Sequence, residues 1–166
     1  AGRGAPWPGE EEAEALKEAL DSVSDQNVFF QMNLFDSHDT PRLHNDKSIY
    51  DRNIYKGVVM AQYMLPGMPN LYYGDEVSLG GVLGSNEGAR YPMEWREEKW
   101  DEDMLSFHRA MGEARKEAWL GFSSYSVISL DEEAFAILRF VEGKAYVAVI
   151  NRGEDREVEV PLFLLP

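Results

Sequence analysis

The chain of 166 residues contains no cysteine, so a disulfide framework and a thiolate metal site are both excluded, and redox chemistry does not reveal its compartment. Basic residues are scarce: 16 lysines and arginines stand against 30 aspartates and glutamates, a net charge of -14. Such a balance repels nucleic-acid phosphate and anionic membrane surfaces, so neither is a candidate partner, whereas a neutral ligand such as a sugar is compatible with it. No stretch approaches the roughly 18 apolar residues that span a bilayer. The first residues, Ala1 to Pro6, lack the apolar run of a signal peptide and do not begin with methionine, as in a processed or truncated product. Internal repeats and low-complexity segments are absent too. What is present is a globular composition, 44% hydrophobic and 12% aromatic, enough for one ordinary core or two small ones.

Periodicity divides the chain into two parts. After the turn-rich Pro6-Trp7-Pro8-Gly9, Ala13, Leu16, Leu20 and Val23 recur at helical spacing behind Glu10, Glu11 and Glu12, acids that suit a helix N-terminus. Asn27 to Phe35 is a short apolar run and reads as a strand buried on both faces. A second helix over Ser48 to Leu65 presents Tyr50, Ile54, Val58, Ala61 and Leu65 on one side and stops at Pro66-Gly67. Met68 to Tyr73 reads as another buried strand. Ser78 to Trp100 is a long glycine-rich and charged excursion, followed by a helix from Glu102 to Trp119 with Met104, Phe107, Met111, Ala114 and Ala118 on its apolar stripe. Helix, strand, helix, strand, with polar residues at the strand ends, is the order of a parallel α/β fold, although two strands cannot close a barrel.

Beyond a boundary near Gly121 to Ser124 the pattern changes. Tyr125 to Leu130, Ala134 to Val141, Lys144 to Ile150 and Glu157 to Leu162 read as strands, with turns at Glu142-Gly143 and Arg152 to Asp155. The expectation is a small antiparallel β domain over residues 121–166, appended to an α/β part over residues 1–120.

The chemistry concentrates at His38 and Asp39, at the end of the first strand. A carboxylate accepts two hydrogen bonds and an imidazole can donate one, a combination suited to vicinal hydroxyls. An adjacent His-Asp pair also ligates metal in phosphohydrolases, but those ligands sit on helices and need further histidines. The remaining ones here are His44, in a loop, and His108, on a helix. No metal site and no cofactor is expected.

The longer pattern narrows the choice. Phe35-Asp36-Ser37-His38-Asp39-Thr40-Pro41-Arg42 resembles the motif that closes the seventh barrel strand of alpha-amylase-family glycoside hydrolases, in the form found in cyclomaltodextrinases, neopullulanases and maltogenic amylases. Pro66 to Glu76 resembles the eighth strand with its following loop, and Arg90-Tyr91-Pro92-Met93-Glu94-Trp95 resembles the Arg-x-Pro-Met-x-Trp element after it. The resemblance implies the C-terminal part of a (β/α)8 TIM barrel, about the last two strands with their helices, then the β domain. It implies that Asp39 is the third catalytic carboxylate, which grips the distorted sugar and does not attack, and that His38 hydrogen-bonds the same sugar. Arg90, with Glu87 before it, matches a position that binds the next sugar, though Asn86 to Arg90 departs from the family pattern in identity and spacing. A solvated loop ion pair is the plainer reading of Arg90 and Glu87.

Asp75 and Glu76 are expected to play structural roles such as capping the following loop, and Tyr72 and Tyr73 to be core residues. Trp95 and Trp100 could stack on sugar or simply pack.

The resemblance also says what these 166 residues do not carry. A retaining glycosidase needs a nucleophile and an acid/base carboxylate about 5 Å apart, and in this family both arrive on earlier strands. The expectation is therefore part of an enzyme that cleaves or transfers α-1,4-glucosidic bonds in cyclodextrins, maltooligosaccharides or starch-like glucans, inactive by itself. Its partners would be the glucan and either the missing N-terminal part of the barrel or further copies of itself. A non-catalytic amylase-like binding or interaction module is the alternative, and a stand-alone carbohydrate-binding β domain a third possibility. Likeness to cyclomaltodextrinases favours the cytoplasm without deciding the compartment.

Overall fold

A computed structural model describes residues 9–45, 52–82 and 86–161. The chain resolves into two compact units: residues 1–31, 64–67 and 117–166 form one, and residues 32–63 and 68–116 the other. Helix α1 (Gly9–Asp21) packs on the sheet of the terminal strands and so shares the first unit with them.

That unit is built on β3 (Ser124–Ser129), β4 (Ala134–Val141) and β5 (Lys144–Asn151), an antiparallel meander with β4 in the centre. The register pairs Val127 with Ile137 and Ile137 with Ala148. Two of the three strand boundaries fall within a residue of the sequence expectation and that of β4 coincides with it. No strand forms over 157–161, and Leu162 lies outside the described residues. Residues Ala134 to Leu138 are buried on both faces of the sheet, since Ala13 and Leu20 of α1 join the same core. Arg139, wholly buried, donates from Nε to Ser123 Oγ (3.0 Å), from Nη1 to the carbonyls of Met64 (2.9 Å) and Leu65 (3.1 Å), and from Nη2 to Leu120 O (2.5 Å).

The second unit holds β1 (Met32–Asn33) and β2 (Met68–Pro69), paired in parallel with Met32 opposite Met68, as an α/β grammar requires. Asn70 N extends the pairing to Asn33 O (2.8 Å), and Gln62 Nε2 donates to the carbonyls of Asn33 (3.1 Å) and Asn70 (2.7 Å). Helix α2 (Arg52–Met64) and α3 (Glu102–Arg115) supply Tyr55, Val59, Tyr63 and Met104 to the core, with Leu43, Leu71, Phe107 and Met111 against them. Asp101 caps α3, its Oδ1 accepting from Met104 N (3.2 Å) while Oδ2 binds Arg52 Nη2 (2.8 Å). The expected start of the second helix, Ser48 to Asp51 with Tyr50, lies outside the described residues.

The strand expectations need correction here. Asn27–Phe30 is a 3-10 helix, β1 and β2 are two residues each, and the apolar side chains around them are not sealed in: Met32 is 58% exposed, and Leu34, Phe35, Met68 and Tyr73 are exposed as well. The physical reason is that a parallel strand completes its hydrogen bonding and its burial only between neighbours on both edges, and here each has one.

Candidate functional site

His38 and Asp39 sit in a tight turn beyond the C-terminal end of β1. Short-range bonds shape that turn: Ser37 N donates to Thr40 Oγ1 (2.8 Å), Thr40 N to Ser37 O (3.3 Å) and Asp39 N to Ser37 Oγ (3.2 Å). Serine and threonine at these positions compete with water for the turn's own backbone groups, which is why Ser37-x-x-Thr40 folds this way locally. Asp36, buried just before the turn, accepts Leu43 N on Oδ2 (2.8 Å) and closes the far side of the loop.

Three of the four residues singled out from the sequence meet. His38 Nε2 lies 3.1 Å from Asp39 Oδ2, Arg90 Nη2 lies 2.9 Å from Asp39 Oδ1, and Arg90 Nε donates to the His38 carbonyl (3.0 Å). Asp39 Oδ1 thus accepts from Arg90 while Oδ2 lies beside the His38 ring, and the side chain remains 66% exposed. Arg90 forms an exposed ion pair with Asp39. Glu87 is exposed on the same short 3-10 helix, Asn86–Arg90.

Beneath this exposed trio lies a buried one that sequence reasoning missed. Arg42 donates from Nε to Ala89 O (3.2 Å) and from Nη1 to Tyr73 O and to Asp75 Oδ1 (3.2 Å). Its guanidinium carbon lies 4.3 Å from the Tyr72 ring centroid and 4.4 Å from that of Tyr73, so the two tyrosines stack on a cation and do not simply fill the core. Asp75 also hydrogen-bonds Asp36. Burial and then the neighbouring Asp36 carboxylate push the Asp75 carboxyl up to about 8, against the opposing pull of Arg42. One guanidinium cannot neutralise two buried carboxylates, and Asp75 is pushed toward its protonated form. The signal available in the sequence was Arg42 itself, an arginine two residues after Thr40 in an otherwise turn-like segment, with acids at Asp36 and Asp75.

Perturbed carboxyls often mark active sites, but Asp36 and Asp75 are closed off from solvent and bonded to Arg42 and to backbone, so no substrate reaches them. Glu76, by contrast, caps as expected: its Oε2 accepts Gly74 N (2.8 Å), at a turn whose φ of 89° suits glycine. The two tryptophans part company. Trp100 packs, with Nε1 donating to Glu94 O (2.6 Å), while Trp95 is 78% exposed.

His44 stacks edge-on against Tyr55, and His108 faces Tyr63 in the core, where burial lowers its imidazole to about 4. Among the described residues no cluster of three or more His, Cys, Asp or Glu is arranged to hold a metal ion, and no helix is long and apolar enough to cross a membrane.

Known proteins resemble this chain over most of its length. Residues 7–126 match the family described as alpha amylase, catalytic domain. A cyclomaltodextrinase of a Bacillus species is 34% identical over 125 residues, which take in 74% of this chain and 22% of that protein. A cyclomaltodextrinase of Thermoanaerobacter pseudethanolicus is 32% identical over 147 residues, 87% of this chain and 24% of that protein. Among solved structures, the cyclic alpha-maltosyl-(1-->6)-maltose hydrolase of Arthrobacter globiformis, in complex with cyclic alpha-maltosyl-(1-->6)-maltose, superposes with a TM-score of 0.80 at 26% identity over 89% of this chain and 33% of that one. The chain thus spans under a quarter of the length of these two curated relatives.

Proposed function

Since the chain belongs to the alpha-amylase family of glycoside hydrolases, we propose that it is the C-terminal part of an enzyme that cleaves or transfers α-1,4-glucosidic bonds in cyclodextrins, maltooligosaccharides or starch-like glucans. In this reading residues 1–120 carry about the last two strands of the catalytic barrel with their helices, and residues 121–166 the appended β domain. The match over residues 7–126 and the parallel β1–β2 pair support the first part, and the three-stranded meander supports the second.

The observation that carries the proposal is Asp39 at the C-terminal end of a parallel strand, its two oxygens presented by His38 and Arg90. In a sugar complex ring hydroxyls would donate to these carboxylate oxygens. Hydrogen bonds that strengthen as the sugar flattens toward an oxocarbenium ion lower the barrier more than they aid binding. Asp39 in this role neither attacks nor transfers a proton. His38 donates to the same sugar, and Arg90 and Glu87 face the adjoining one.

Nucleophile and acid/base are proposed to come from polypeptide beyond these 166 residues, which alone would not turn substrate over. The exposed Met32, Leu34, Phe35 and Met68 support this, because they offer an apolar face that earlier barrel strands, or other copies of the chain, would cover.

The test is release of reducing sugar from β-cyclodextrin and pullulan, first by this chain and then with the upstream part of its protein supplied in trans. Activity only with the complement supports the proposal. A correctly assembled complex that cleaves no α-glucan favours the non-catalytic module, and tight glucan binding by residues 121–166 alone favours a carbohydrate-binding β domain.

A further inference from the structure

Arg90 reaches Asp39 across an exposed surface, its own side chain half in water. Ion pairs at such exposure are weak and easily exchanged for hydration, so the pair does not hold Arg90 in place. Besides the bond from its Nε to the His38 carbonyl (3.0 Å), what places Arg90 is the backbone that carries it.

That backbone is fastened on both sides of Arg90. The preceding carbonyl, Ala89 O, accepts two bonds, from Arg42 Nε (3.2 Å) and from Tyr72 Oη (3.2 Å). The following carbonyl, Tyr91 O, accepts Tyr73 Oη (2.5 Å). Tyr72 and Tyr73 are the rings that flank the Arg42 guanidinium, and Arg42 also binds Tyr73 O. Arg42 stands three residues after Asp39 in the chain. A single buried cation therefore ties the segment that bears Asp39 directly to Ala89 and, through Tyr73, to Tyr91, the two residues that bracket Arg90.

We propose that Arg42, clasped by Tyr72 and Tyr73, is a positioning residue that sets Arg90 against Asp39, and so fixes the donor geometry presented to the sugar. The inference rests on the sugar-binding reading of Asp39 and Arg90. A guanidinium is suited to the task because its fixed planar fork addresses acceptors in different directions at once, which an ammonium does not reproduce.

The test is the order of the Arg90 side chain in the full 166-residue chain, read from the 15N heteronuclear NOE of its Nε–H, assigned by the signal lost in Arg90→Lys. In the unaltered chain this group is ordered. Arg42→Lys keeps the charge beside Asp36 and Asp75 but removes the fork, and the Arg90 signal becomes that of a freely moving side chain, while the Nε–H of Arg139 in the other unit stays ordered as an internal reference. Tyr72→Phe removes only the hydroxyl on Ala89 O and loosens Arg90 by a smaller amount. Should Arg42→Lys fail to fold, Tyr72→Phe decides. An Arg90 signal that stays ordered in every folded variant overturns the proposal. This readout needs no activity, so a chain that proves not to belong to a glucan-cleaving enzyme would defeat the reading of the site and leave the positioning result standing.

Discussion

The two units bury an arginine each and do so differently. Arg139 donates to a hydroxyl and three carbonyls beside a three-stranded sheet. Arg42 sits with two buried acids, Asp36 and Asp75, the second pushed toward its protonated form, under a surface where apolar strand residues remain open. The first unit assembles from strands that follow one another through short turns, so its pairing is local. The second depends on parallel strands 36 residues apart in sequence, each with one neighbour. Its polar core therefore does more of the holding.

If that contrast is right, Arg42→Met is the most damaging single change. It leaves Asp36 and Asp75 facing each other without their cation, and about 3–5 kcal/mol of stability is lost. Arg139→Met strands carbonyls at about 1–3 kcal/mol. Urea unfolding of both variants checks the order, and the reverse order would break the comparison.

Gly88→Ala comes next. The Gly81 and Gly88 backbones lie so close that a Cβ on Gly88 would run into the Val82 carbonyl, and one on Gly81 into that of Gly88. About 1–3 kcal/mol of strain is expected, visible in the same unfolding curves.

The raised Asp75 carboxyl makes the second unit sensitive to pH. That group is raised from the ordinary 3.8 to about 8. Between those values the folded chain holds a proton that the unfolded chain has released, so this contribution to stability is full at low pH and lost as pH rises through about 8. Asp75→Asn fixes the neutral form and flattens that decline by up to about 1.4 kcal/mol per pH unit. Parallel slopes for the variant and the unaltered chain from pH 4 to 8 would contradict it.

The smallest effect belongs to the first unit. Phe122, 71% exposed, lies 5.7 Å from Phe29 and 6.2 Å from Phe30 between ring centroids. Phe122→Ser removes about 0.5–1.5 kcal/mol of aromatic contact, measurable as a small shift of the thermal midpoint.

Legibility followed the same division. Strand β4 was readable to the residue because alternating turns and apolar runs carry the information locally. Asn27 to Phe35 was not: its apolar content signals a buried parallel strand, yet burial depends on neighbours that these residues do not include, and most of the run is 3-10 helix or open loop. His38, Asp39 and Arg90 are named by the family motifs they resemble, Arg90 despite a departure in identity and spacing, and their side chains meet. Arg42 was quoted in the motif and passed over, since nothing in a linear pattern shows that its partners lie 31, 33 and 47 residues away.

The central claim is that Asp39 stabilises a transition state in a shared active site. Its most direct measure is the kinetics of Asp39→Asn on β-cyclodextrin in the enzyme completed by its upstream part. The account predicts a kcat lowered by about 100- to 1000-fold with KM little changed, as when a donor or acceptor acts chiefly in the transition state. An unchanged kcat, or a loss confined to KM, would contradict it.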